Sequence, residues 1–454
     1  MTKSIPYDLF VEKVVLRNQL VSQDQMEKAK MTKKRYPEMP LMDILVKTNL
    51  ISEKYAALIE QKYNHVSAPT SGEENSSRKQ STKPDQEPAA RREVESALDQ
   101  SATLEDLLIE ARKLGASALY IAEQSPVFMR RNGYLEFFSG PALTSTDTER
   151  LLFSALSADE EEKIKASFSY ETCLEYTEHG RYLGCFSRQG NGWGGSFKII
   201  GQKIPTFADL KLPDSLKTFT DFEQGLVLVT GFKDGGKSST VAAMIEQINQ
   251  TCSKHIITLE KHIEFLFTSK KSHINQREIG RHSETYGRAV RAAIREDADV
   301  LFIDELKDYE TASLALDAAE SGLLVISTLY TIDAAQSVMR LLDFFPVHQQ
   351  GQIRNLISDT LKGIVCQRLI PTTDRQSRTL ATEVLFNASS IGSLIQDNKI
   401  FQIKNIMRLN QSRGMITMDN SIKELLENKI IPSEEAHFAM VDSLLFQQPK
   451  TGAF

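Results

Sequence analysis

The stretch "GLVLVTGFKDGGKSSTVAAMIEQIN" at 225–249 constrains this chain more than any other. "GLVLVTG" is a continuous apolar run bounded by glycine, suited to a strand buried on both faces. "SSTVAAMIEQIN" reads as the helix that follows. Between them, Gly231-Phe232-Lys233-Asp234-Gly235-Gly236-Lys237-Ser238 has the spacing G-x-x-x-x-G-K-[ST]. Gly231, Gly235 and Gly236 let backbone N–H groups wrap phosphates, and the helix N-terminus adds favourable charge. Lys237 then reaches the β- and γ-phosphates, while Ser238, with Ser239 beside it, ligates magnesium. The expected ligand is Mg-ATP, and the plainer alternative is a glycine-rich turn that holds no nucleotide. Asp234 places a carboxylate inside the cradle. Facing the phosphates it repels them; facing solvent, paired with Lys233, it costs little.

Strand-like runs recur at "HIITLE", "DVLFIDE" and "LLVISTLY", alternating with helical segments such as "TYGRAVRAAIRE" and "YETASLALDAAES". That alternation predicts a doubly wound α/β domain over 216–371. The following region, 372–454, reads mainly as amphipathic helix. Upstream, 99–215 reads as an α+β domain: an amphipathic helix, a strand "ALYIAE", and a hairpin turned at Asn132-Gly133.

The first 66 residues carry a weak internal echo, "LRNQLVSQDQMEKAKMTKKRY" and "VKTNLISEKYAALIEQKYNHV". Ser22 and Ser52 are natural helix N-caps, and Gln25 completes a capping box. This predicts a small helical domain of two similar units. Between it and the α+β domain, 67–98 begins with a run that lacks any large aliphatic or aromatic residue until about Glu93, and is expected to be a disordered tether.

Composition excludes several function classes. A net charge of −6 does not suit a general nucleic-acid or membrane-surface binder. Cys173, Cys185, Cys252 and Cys366 form no C-x-x-C pair, which argues against a zinc knuckle or disulfide framework. No apolar run approaches spanning length, so the expectation is a cytoplasmic chain that meets a membrane only through a partner.

Two acidic clusters supply chemistry to the loop. "DVLFIDELKD" (299–308) ends a buried strand in Asp304 and Glu305, which could hold magnesium through water and align the attacking water. "TLEKHIEF" (258–265) places Glu260 and Glu264 past another strand, where a carboxylate could act as general base. Taken alone, either cluster is an ordinary strand end or solvated loop. "RAVRAAIRED" (288–297) puts Arg288, Arg291 and Arg295 on one helical face. Such a face senses a γ-phosphate, sits at a subunit interface, or is simply solvated.

With these residues assembled, the chain resembles the secretion and type IV pilus motor ATPases, closest to the retraction group typified by PilT and PilU. The phrases that carry the likeness run in order over roughly 103–445: "GLVLVTG", "GKSS", "HIITLE", "INQREIG", "AVRAAIREDADVLFIDELKD", "ETASLALDAAESG" and "CQRLIP". The resemblance implies a hexameric ring of two-part subunits, a PAS-like domain moving against a RecA-like one, driving pilus disassembly at a PilC-like inner-membrane platform. It places Lys237 and Ser238 on the Walker A residues and Glu305 on the Walker B glutamate. Glu260 and Glu264 fall in the acidic box and Arg291 and Arg295 on paired arginines; Arg181, kept from the family's R-F-R-V-N, is expected among the nucleotide-binding residues, whereas the arginine that reaches a neighbour's nucleotide falls at Leu183.

The departures from the family pattern are specific. The histidine box G-H-L-V-F-G-T-L-H-T reads "GLLVISTLYT" here, with Leu323 and Tyr330 in place of both histidines. Lys261-His262 replaces the usual Asp-Pro, Leu183 stands where an arginine is expected, and Asp234 replaces a glycine. "SALY" stands for S-D-L-H, and Gly392 replaces the arginine of A-I-R-N-L. Residues 1–66 resemble the N-terminal domain of PilB- and GspE-like ATPases, some of which bind cyclic di-GMP through R-L-G-x-x-L. Pro40 and Met42 replace the arginine and glycine of that repeat, so cyclic di-GMP is not an expected ligand. The tetracysteine motif of the assembly group is missing.

The leading expectation is a PilT/PilU-like motor that binds and hydrolyses Mg-ATP as a homo-hexamer, or beside a PilT-like paralogue, for pilus retraction and twitching motility. The first alternative is a catalytically weak nucleotide-binding regulator of the same machinery. The second is a secretion or export ATPase.

Overall fold

The computed structural model describes residues 29, 32–33, 40–48, 92–94, 102–176 and 179–440. The chain divides into two units, Met1–Gln86 and Glu87–Phe454. In the first, Leu41–Lys47 is helical and buries Leu41, Met42, Ile44 and Leu45. The expected caps Ser22 and Ser52, Gln25, and residues 67–91 of the tether lie outside the described residues.

The second unit is built on two seven-stranded sheets. The first comprises β1 (Arg92–Val94), β2 (Ala118–Ala122), β3 (Phe128–Arg131), β4 (Tyr134–Phe138), β5 (Ser169–Tyr176), β6 (Gly180–Gln189) and β7 (Gly192–Ile199), in the order β1-β4-β3-β2-β7-β6-β5. All neighbours are antiparallel except β1, which runs parallel to β4. The β3–β4 hairpin turns at Asn132 (φ 52°) and Gly133 (φ 90°), the left-handed pair that the Asn-Gly dipeptide predicts. β1 corrects the tether expectation at its end: residues 92–94 pair with Glu136–Phe138. Main-chain bonding to a free sheet edge needs no apolar side chains, so composition could not reveal it.

The second sheet comprises β8 (Gly225–Gly231), β9 (His255–Glu260), β10 (His273–Glu278), β11 (Val300–Ile303), β12 (Leu324–Leu329), β13 (Leu361–Pro371) and β14 (Arg378–Phe386), in the order β10-β9-β11-β12-β8-β13-β14. Every pair is parallel except β13–β14. The unbroken apolar run of β8 has a direct cause: Leu226 and Leu228 enter one core cluster, and Val227 and Val229 enter another on the opposite face. β11 divides the same way, Leu301 and Ile303 to the first cluster and Val300 and Phe302 to the second.

β14 corrects the reading of 372–454 as mainly helical. It pairs antiparallel with β13 from Gly363↔Phe386 to Pro371↔Arg378, so the sheet continues past Pro371 through the turn at 372–377. "RTLATEVLF" alternates in burial at its start and is then buried through Leu385, as befits a strand covered by Met418–Glu427. Beyond β14 the chain is helical, through Ser389–Gln396, Ile403–Leu409, Met418–Glu427 and Ser433–Ala439.

Candidate nucleotide site

β8 delivers the loop to the C-terminal edge of a parallel sheet, where open α/β folds place their ligands. Gly231 has φ 150°, and a Cβ there would lie 2.4 Å from the carbonyl oxygen of Gln367, so only glycine fits. Gly235 donates its N–H to Phe232 O at 3.1 Å, and Gly236, at φ 87°, opens the helix Lys237–Thr251. No side chain caps that helix, which leaves its leading N–H groups as donors toward the loop. Ser238 and Ser239 are half-buried in its first turn.

Asp234 adopts φ 60°, a left-handed conformation that favours glycine; aspartate is among the residues that tolerate it. Its side chain is exposed, as is that of Lys233, and no ion pair joins the two among the described residues. The carboxylate is exposed, and its charge still acts on Lys237.

Lys237 is only 9% exposed. Its Nζ donates to Gly231 O (3.0 Å) and Phe232 O (2.9 Å), and lies 4.0 Å from the centroid of the Tyr330 ring. Burial pushes its pKa down to about 8, opposed by the charges of Glu305 and Asp234. Leu323, at the other altered histidine position, is buried in the apolar core.

The acidic residues converge beside the loop. Ser238, Glu260, Glu264 and Asp304 line one open cleft, together with His262, Phe265 and Phe302. Glu260, 7% exposed at the end of β9, accepts from Thr258 Oγ1 (2.7 Å) and Gln276 Nε2 (3.2 Å). Burial, reinforced by the nearby Asp304 and Glu264, raises its carboxyl to about 7. Asp304 follows β11 and accepts from the Lys261 N–H at 3.3 Å. Burial and the adjacent Glu264 and Glu305 carboxylates raise it to about 6. Glu305 stands next to it, half-buried, and acts on the charge of Lys237.

Two residues that meet the 261–265 segment escaped the sequence reading. Lys198 of β7 reaches Glu264 at 2.5 Å, carrying a cation from the first sheet to the acidic cluster. Glu171 of β5 pairs with Lys261 and lies 3.0 Å from His262 Nε2, whose Nδ1 is 3.9 Å from Glu278. The only sequence signal for Lys198 is a lone cation in an apolar strand, "GGSFKII". Leu183, where an arginine was expected, packs with Cys173 against Ile200, Ala242 and Phe265.

The three arginines do not gather at the loop. Arg181 lies on β6 with Nε 4.0 Å from Glu175. Arg291 pairs with Glu310 at 3.1 Å on the exposed face of the helix Tyr286–Arg295, and Arg295 is exposed on the same helix. Among the described residues, no hydrogen bond or ion pair joins any of them to the phosphate loop.

Residues 209–436 match the family described as "Type II/IV secretion system protein". The type IV pilus retraction ATPase PilT of Pseudomonas aeruginosa is 34% identical over 335 residues, 73% of this chain and 96% of that one. The chain belongs to the type II/IV secretion and type IV pilus motor ATPase superfamily. A twitching motility protein of Neisseria gonorrhoeae is 34% identical over 308 residues, covering 68% of this chain and 82% of the relative. The crystal structure of the pilus retraction motor PilT with bound ADP superposes with a TM-score of 0.67 at 36% identity, covering 76% of this chain and 99% of that one. Within the superfamily this chain keeps a RecA-like sheet behind the phosphate loop. No helix among the described residues is long and apolar enough to cross a membrane.

Proposed function

We propose that the chain is a PilT/PilU-like pilus motor ATPase that binds and hydrolyses Mg-ATP at this cleft. The observation that carries the reading is the convergence of an uncapped helix N-terminus, Lys237 and four carboxylates at one sheet edge. Lys237 and the loop N–H groups bind the phosphates. Asp304 fits a cation site, because burial and neighbouring carboxylates disfavour its charge and a cation relieves that crowding. Magnesium, when bound by Ser238, Asp304 and Glu305, offsets the charge of the phosphates. Glu260 has a proton affinity near neutrality and suits the role of general base. Glu264 is held by Lys198, which positions it and links the first sheet to the site.

The reading extends to a hexameric ring, homomeric or shared with a PilT-like paralogue, in which the 99–215 domain moves against the RecA-like domain. The exposed Arg291 and Arg295 then serve a neighbouring subunit, and Arg181 the nucleotide. The ring works in the cytoplasm against a PilC-like platform at the inner membrane, driving retraction and twitching motility. Lys237→Ala is expected to abolish nucleotide binding, and Glu305→Gln to retain binding while losing steady-state turnover. ATP binding that survives Lys237→Ala sinks the assignment of the site. A second reading, a nucleotide-binding regulator, is favoured by one observation: Lys237 and Glu264 are both already engaged within the chain. Tight ATP binding without turnover, alone and with a PilT-like partner, selects it.

A further inference from the structure

The ammonium of Lys237 is enclosed by this chain itself. It has three donors; two carbonyls, Gly231 O and Phe232 O, stand 3.0 and 2.9 Å away, and the Tyr330 ring stands 4.0 Å away. The backbone that carries the ring is anchored, because its neighbours Leu329 and Thr331 are buried, while Tyr330 itself is 56% exposed. An exposed aromatic ring at this point lies over the one buried cation of the loop, and a ring face attracts a desolvated ammonium. We propose that Tyr330 is a positioning residue acting through Lys237: its face is the resting place of the ammonium, and it competes with bound phosphate for that charge. The proposal rests on the reading of the loop as a nucleotide site and goes beyond it. Wherever the lysine engages phosphate, it gives up the two loop carbonyls and the ring. The ring therefore weakens nucleotide binding and draws the lysine back when phosphate leaves.

The size of the effect follows from the contact. A cation–π contact at a partly desolvated site corresponds to about a three- to tenfold change in an equilibrium constant. Tyr330→Leu, which removes the ring and keeps an apolar side chain, is expected to bind ADP about three- to tenfold more tightly than the wild-type chain. Tyr330→Phe keeps the ring face and is expected to match the wild type. If the hydroxyl were the working group, Phe would behave like Leu.

The test uses the full chain and two measurements. ADP affinity is measured by titration for wild type, Tyr330→Leu and Tyr330→Phe. Thermal unfolding without nucleotide is measured for Tyr330→Leu, Lys237→Met and the double variant. The expected result is non-additive melting shifts, showing the two residues coupled in the free protein, with tighter ADP binding in Tyr330→Leu alone. Additive shifts overturn the contact. Coupled residues with unchanged or weaker ADP binding in Tyr330→Leu overturn the role. Failure of both wild type and Tyr330→Leu to bind ADP, with coupling intact, overturns the nucleotide site and the role built on it, while leaving the contact standing.

Discussion

Two regions meet at the acidic cluster and are built in opposite ways. The phosphate loop is local: Lys237 bonds to carbonyls six and five residues away, and Gly235 to Phe232. The segment 261–265 is held from a distance. Lys198 reaches Glu264 across 66 residues, while Lys261 and His262 reach Glu171 across 90 and 91. A local loop is fixed by backbone conformation, so its sequence tolerates little. A distant face is fixed by side chains that can change together, and Leu183, Lys261 and His262 all lie on it.

The largest effect separates two positions within the loop. Gly231→Ala drives a Cβ into Gln367 O, where φ is 150°, and is expected to cost about 3 kcal/mol or more in urea unfolding. Asp234→Gly, at φ 60° and exposed, is expected to stabilise by about 1 kcal/mol or less. Similar losses at the two positions would break the claim that backbone shape, rather than mere glycine content, defines this region.

The next effect is a pH dependence at the boundary of the two regions. Glu260 titrates at about 7 in the fold against an ordinary 4.5. Between those values the folded chain binds more protons than the unfolded one, so stability falls as pH rises through the window. Below 4.5 the penalty vanishes, and above 7 it is fully present. Glu260→Gln is expected to flatten the melting-temperature profile and to stabilise the chain at pH 8 by up to about 3 kcal/mol. Parallel profiles for the two proteins would assign the pH dependence to other groups.

The same contrast decides what could be read from the sequence. β8, the loop, β9 and β11 were legible because each leaves a local mark: an apolar run divided between two cores, or glycines where φ is positive. Asp304 and Glu260 were legible by their place at strand ends, and Glu264 by its place just past β9. β1 was not, since an edge strand formed by main-chain bonds leaves no compositional trace. β14 was passed over because the helical segments around it dominate the period of the region. Lys198 and Glu171 act only through the register of β5, β6 and β7, which brings Leu183 opposite both Cys173 and Lys198. Nothing near them in sequence announces the acidic cluster they meet.

The smallest effect tests the distant face directly. Lys261 is 60% exposed and Glu171 41%, so their pairing contributes at most about 1 kcal/mol. His262 is the more buried partner, between Glu171 and Glu278. Glu171→Lys faces Lys261 with a like charge and is expected to speed amide exchange at Ile263 and Phe267 by about two- to fivefold at low salt. Adding Lys261→Glu restores an opposite-charge pair and should return exchange toward wild type. Raising the ionic strength to about 1 M, where screening acts over about 3 Å, should shrink the difference between the single and swapped chains. If single and swapped chains exchange alike, the ion pair is incidental. Leu183, Cys173 and Phe265 then hold the face by apolar contact.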